Sequence, residues 1–169
     1  MPRHLLLRWT RRPDGDVVFT CTRPDGTHTW QRYAGPRAGF FPAHDLTHYA
    51  VEHELGLARG FYGLVADGWT LDDFAAPWPR GPLPPETLAA ELLVGFLDVE
   101  RASHATGAAA ELEAHAAAWY AERGADDAGW RPLDDATLAR VRAARDALVA
   151  RWNALPPGGT FELAFPFDG

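Results

Sequence analysis

The sequence predicts an α+β fold, a small antiparallel β-meander plus a C-terminal strand, packed against several α-helices. Three observations carry this expectation. Residues 5–33 alternate apolar and polar side chains with a period of two and are cut by two identical turn tetrapeptides; residues 42–155 change to helical spacing; residues 159–167 return to alternation. The expected organisation is a single domain with a β-rich part (1–35), a helical part (42–155) and a closing strand (159–167). A chain of 169 residues buries roughly 70% of its unfolded surface, so it needs neither disulfides nor a metal merely to fold. With 47% apolar residues and seven tryptophans, the composition is that of a globular core.

Along the first third, Leu5, Leu7 and Trp9 alternate with Leu6, Arg8 and Thr10, and Val17, Phe19 and Cys21 alternate with Val18, Thr20 and Thr22. The tetrapeptide Arg-Pro-Asp-Gly occurs at 12–15 and again at 23–26. Pro presets φ, Asp bonds its own backbone and Gly accepts a positive φ, so each copy reads as a hairpin turn leading to strands at 17–22 and 27–33. After Gly35-Pro36, a helix is expected from about Ala43 to Leu55, with Pro42 at its first position and Gly56 as the stop. A glycine-punctuated apolar segment (60–68) follows, then a helix start at Thr70 with Asp73 three residues on. Five prolines between 77 and 85 mark a surface connection.

In the second half, Leu88, Leu92, Phe96 and Val99 form one helical stripe, an alanine-rich helix covers 108–122, and Leu138, Val141, Leu148, Val149, Trp152 and Leu155 form another stripe. Arg145 falls inside that last stripe, where it must snorkel or find a carboxylate. Gly158-Gly159 opens the closing strand, and Pro166 places it at a sheet edge or near the strand's end.

Charge and cysteine content narrow the function classes. The net charge is −7 and no run concentrates arginine on one face, which argues against nucleic acid as a partner. The lone Cys21 cannot form an internal disulfide and fits a reducing compartment. Leu5–Leu7 is too short for a signal-peptide core and no apolar run approaches membrane-span length, so a cytoplasmic protein without a membrane partner is expected, with homo-oligomerisation left open. The basic residues are all arginine, so their number says little about anion recognition.

The most informative string is His44-Asp45-Leu46-Thr47-His48-Tyr49-Ala50-Val51-Glu52-His53-Glu54-Leu55. At about 100° per residue, His44, His48, Glu52 and Asp45 fall within about one quadrant, with Leu46 and Ala50 opposite. Two imidazoles at i and i+4 reach one ion, and a carboxylate two turns on shares their stripe. The metal-centred reading makes His44 and His48 ligands, Glu52 a third ligand or an orienting carboxylate, and Asp45 the catalytic base or a partner that fixes an imidazole tautomer. The expected ion is a divalent metal, zinc by default, although manganese, iron or nickel fits a His/carboxylate set equally well, and the expected chemistry is hydrolytic on a small-molecule or peptide substrate. Two other readings use the same residues: a metal-free acid–base site, and a non-catalytic module whose polar helix face binds a ligand or protein. A plain solvated face, with Asp45 at the helix N-terminus and His48–Glu52 as an i,i+4 pair, is the structural alternative. His53 is expected on the buried side of the helix, and Glu100 with His104 is a weaker candidate from across a groove.

His44-Asp45-x-x-His48 resembles the HExxH helix of zinc metallopeptidases. That resemblance implies zinc on the two histidines and Asp45 as the residue activating water, one methylene shorter than the family's glutamate. Over a longer span, the run from Phe40 to Trp69 is similar to a group of bacterial proteins sharing HDLxHYxVE, GFxGL and a Gly-Trp pair. No reaction is assigned to that pattern, but it groups His44, Asp45, His48 and Glu52 with the glycine-rich segment after them.

Overall fold

A computed structural model describes residues 3–167. Three strands, β1 (Arg3–Arg11), β2 (Val17–Thr22) and β3 (His28–Tyr33), are followed by helices α1 (Pro36–Leu55) and α2 (Phe61–Ala66) and a short 3₁₀ turn, Leu71–Phe74. Then come α3 (Pro85–Ser103), α4 (Ala109–Arg123), α5 (Asp135–Asn153) and β4 (Thr160–Phe167). The fold is α+β: one antiparallel sheet in the order β3-β2-β1-β4, with five α-helices.

Both repeated tetrapeptides make the same turn. Gly15 and Gly26 sit at φ +90° and +86°, each donating its N–H to the arginine carbonyl three residues back, and the Asp14 and Asp25 carboxylates each accept the N–H two residues on. Only glycine holds such a φ without strain, so register is fixed locally. The resulting pairing places Trp9 opposite both Phe19 and Phe161. One face is therefore apolar, with Leu5, Leu7, Trp9, Val17, Phe19, Cys21, Tyr33, Phe161 and Phe165 buried, while Trp30 and Arg32 face outward. Stacked rings continue from Trp9 and Phe19 (4.7 Å between centroids) through Tyr33 to Phe41 of α1 (4.9 Å).

Helix α1 lies between this sheet and the other helices. Leu46 joins the sheet-side core, whereas Val51 joins a second cluster with Ala90, Leu93, Val94 and Leu97 of α3 and Leu138 and Val141 of α5. Buried on both sides, α1 carries polar residues inside the fold: Asp45, Thr47, His48 and Glu52 are all buried.

Two expectations are corrected. Helix α1 begins at Pro36, not near residue 43, so Pro42 lies inside the helix. Pro36 takes the first-turn position, and the missing N–H of Pro42 leaves the Ala38 carbonyl without its usual partner. Packing of Ala38 and Phe41 on the sheet-side core holds the nearly two extra turns in place. On α3, the buried stripe is Ala90, Leu93, Val94 and Leu97, whereas Val99 is 66% exposed and Leu88, Leu92 and Phe96 are only partly covered. Ala89 and Ala90 are small enough for close backbone approach, which a search for large apolar residues overlooks. The later stripe holds, with Leu138, Val141 and Trp152 buried and Arg145 among them, its Nε donating to Asp146 at 2.8 Å. No helix among the described residues is long and apolar enough to cross a membrane.

Candidate metal centre

Buried charge is expensive unless paired and hydrogen-bonded, so each polar group on α1 must find a partner. His48, almost fully buried, has one on each ring nitrogen: Nδ1 lies 3.1 Å from Glu52 Oε1, and Nε2 lies 3.4 Å from Glu91 Oε1 of α3. His44 sits one turn earlier, its ring 4.8 Å from that of His48, and its Nδ1 is 2.6 Å from Asp98 Oδ2, also on α3. One donor atom each from His44, His48 and Glu91 lie within 4.8 Å of one another.

Glu52 is seated from the far side. Its two carboxylate oxygens accept the Phe61 and Tyr62 N–H groups, each at 2.9 Å, at the N-terminus of α2. Gly60 makes this approach feasible, because a Cβ there would stand 2.5 Å from Glu52 Cδ. Burial raises the Glu52 pKa, with His48 and the two N–H groups opposing it. Burial alone would depress His48, but the Glu91 and Glu52 carboxylates outweigh it and hold the imidazole well above its ordinary value. Burial raises and His48 lowers the Glu91 pKa, and the imidazole prevails.

Asp45 occupies the sheet side of the same helix. Its Oδ2 accepts hydrogen bonds from Trp9 Nε1 (3.1 Å) and the Tyr33 hydroxyl (2.9 Å), and its backbone carbonyl accepts the Tyr62 hydroxyl (2.7 Å). Burial pushes its pKa up to about 6, against the pull of His44, Trp9 and Tyr33. Asp45 thus ties α1 to β1 and β3 and lies outside the His44, His48, Glu91 group.

The structure therefore brings His44 and His48 together as expected and joins to them Glu91, which the sequence reading did not single out. Glu52 is beside the pair, but as a carboxylate bonded to His48 Nδ1 and backbone amides. Glu91 and Asp98 are seven residues apart, two turns along one face of α3, and that spacing of acids within an apolar helix was the available signal. His53 is exposed and stacks on Tyr49 at 5.5 Å, contrary to its expected buried position, because the buried arc of α1 ends at Glu52. Glu100 is held by Arg142 and the Gly107 N–H, and His104 is exposed at the end of α3, so neither joins the group. A cleft of about 410 Å³ lies behind Glu52 between the end of α1, α2 and β4, and neither His44 nor His48 lines it.

The arrangement fits what a divalent ion requires. With Nδ1 of each imidazole taken by a carboxylate, the nitrogen left on each is Nε2, in the tautomer that second carboxylates normally enforce on metal-bound histidines. A tetrahedral ion with bonds of about 2.0–2.1 Å needs donors roughly 3.4 Å apart, so from donors within 4.8 Å of one another closure by at most about 1.4 Å suffices. The Glu91 side chain, 34% exposed, has the freedom to make it. Comparison with protein-family models, with curated proteins and with solved structures returns no match, and the chemistry is read from the residues themselves.

Proposed function

We propose that the protein binds a divalent metal ion through His44, His48 and Glu91 and uses it for hydrolytic chemistry on a small-molecule or peptide substrate. The observation that carries this reading is the pairing of each imidazole Nδ1 with its own carboxylate, Asp98 for His44 and Glu52 for His48. Two such pairs on one helix turn leave two nitrogens and the Glu91 carboxylate as a three-donor set. Imidazole and carboxylate suit zinc first, and three protein ligands leave a position for water, whose pKa the ion lowers towards neutrality. Glu52 and Asp98 orient the ligands. Asp45 anchors the helix instead of acting on that water, so the zinc-peptidase resemblance of the five-residue motif extends to its histidines alone.

Elemental analysis of protein purified without an affinity tag tests the reading, together with zinc competition against a chromophoric chelator. One equivalent of ion per chain, lost in the His44→Ala, His48→Ala double variant, is expected. Absence of stoichiometric metal, with a melting temperature indifferent to added zinc and to chelator, would leave His48 as a buried imidazolium clamped between Glu52 and Glu91 and would end the metal reading.

A further inference from the structure

Beside His44, on its Asp98 side, two buried polar atoms stand without hydrogen-bond partners: Asp98 Oδ1 and Arg101 Nε. They belong to neighbours one turn apart on α3. The Arg101 Nη2 approaches Asp98 Oδ1 only to 3.5 Å, an ion contact without a hydrogen bond. The guanidinium lies over Phe40, 6.0 Å from its ring centroid, and Phe40 stacks on His44 at 5.3 Å. Phe40 is 43% exposed and the Arg101 side chain 32%, so this corner of the centre opens to solvent. Among the other covered arginines, Arg23 is committed to the Val65 and Trp69 carbonyls and Arg142 to Glu100 and the Gly107 carbonyl. Arg11 Nε and Arg145 Nη1 also lack partners, but each of those side chains donates a hydrogen bond through another nitrogen, Arg11 to the Trp152 carbonyl and Arg145 to Asp146. The location of Arg101 near the C-terminal end of α3 suits the helix dipole, yet that role uses neither its Nε–H nor its planar fork.

We propose that Arg101 is the anchor for a carboxylate carried by the substrate at a distance from the group that meets the metal. The inference rests on the metal reading above. Turning the partly exposed Arg101 side chain outward uncovers the buried Nε, and a planar carboxylate accepting the Nε–H and one Nη–H then satisfies the orphaned donor bidentately. Asp98 is spent on His44 through Oδ2, leaving the guanidinium charge only partly compensated. Phe40 offers its exposed face to the apolar part of such a molecule. Between the ion and Arg101 stand the His44 ring and the Asp98 carboxylate, a separation on the order of 10 Å. A five-carbon dicarboxylate has about the right reach, with one end on the ion and the other on Arg101.

The test uses the full chain loaded with cobalt(II), whose d–d absorption reports the ligands on the ion. Glutarate and, in parallel, butyrate are titrated into the cobalt form of the wild type and of Arg101→Met and Arg101→Lys. The second anchor should make glutarate bind at least about tenfold more tightly than butyrate to the wild type. Arg101→Met should abolish that preference while leaving cobalt affinity and butyrate binding unchanged, and Arg101→Lys should keep part of it. Cobalt bound normally, with glutarate no better than butyrate or equally tight on Arg101→Met, overturns the anchor alone. No cobalt spectrum at all overturns the metal reading and the anchor with it.

Discussion

Replacing Gly60 by alanine separates two opposed effects of one methyl group. Gly60 has φ −72° and ψ −168°, extended backbone that alanine adopts without strain. Chain entropy alone would therefore stabilise the variant by about 0.4–1 kcal/mol. Against this, the new Cβ would stand 2.5 Å from both Glu52 Cδ and Oε2, about 1 Å inside ordinary contact. Glu52 cannot simply swing away, because its oxygens accept two amide N–H groups and its neighbour His48 Nδ1. Hydrogen bonds to a charged group contribute about 1.5–3 kcal/mol each, and losing part of two of them gives a net cost of about 2–4 kcal/mol. For a chain of this size that is a fall in melting temperature of between about 4 and 16 °C. Calorimetry and urea unfolding followed by tryptophan fluorescence measure it, with Gly95→Ala as control. Gly95 lies within α3 with nothing within 4 Å of its would-be Cβ, so alanine there should stabilise by about 0.5–1 kcal/mol. Loss of the Glu52 seat should also weaken zinc binding by about 10–100-fold. A Gly60→Ala protein as stable as the wild type, or more so, would refute the claim that close approach at residue 60 positions Glu52.

Further outcomes follow from the same packing and hydrogen bonds. Asp98→Asn should cost about 10–100-fold in zinc affinity, measured by chelator competition, because the His44 tautomer loses its carboxylate. Leu97→Ala should destabilise by about 2–5 kcal/mol in urea, whereas Val99→Ser should stay within about 0.5 kcal/mol, the reverse of what the sequence stripe implies. Asp73 accepts the Thr70 N–H at 2.7 Å and Arg80 Nε at 3.0 Å, and the Thr70 bond leads in holding its pKa below the ordinary 3.8. A carboxylate depressed on folding stabilises above its unfolded pKa, and that contribution fades as pH falls through the folded value. Asp73→Asn should thus be less stable by about 1 kcal/mol at pH 7, with the difference closing in melts at pH below 3.8.

Much of the fold was legible because its signals are local. The repeated turn tetrapeptide needs only its own residues to set the hairpins, and Gly56, at φ +62°, ends α1 where a C-terminal glycine should. The start of α1 was not legible, since proline is read as a boundary and the packing of Ala38 and Phe41 on the sheet-side core overrides that reading. Side-chain size misled on α3, where two alanines lie on the buried face and a valine does not. In the candidate centre, His44 and His48 were found from helical spacing alone. Glu91 lies 43 residues beyond His48 and Asp98 lies 54 beyond His44, and only the packing of α3 on α1 brings them to the imidazoles. Asp45 and Glu52 share a quadrant with the histidines on a helical wheel, but a wheel cannot say what stands opposite each residue. Trp9 and Tyr33 draw Asp45 towards the sheet, and the α2 amides draw Glu52 towards Gly60.

The most direct measurement is the anomalous difference density of zinc-soaked crystals collected on both sides of the zinc absorption edge. The account expects one peak per chain at about 2.0–2.2 Å from a nitrogen of His44, a nitrogen of His48 and a carboxylate oxygen of Glu91, with Glu52 and Asp98 remaining on the two Nδ1 atoms. No peak between α1 and α3, or a peak ligated by Glu52 or Asp45 in place of Glu91, would contradict it.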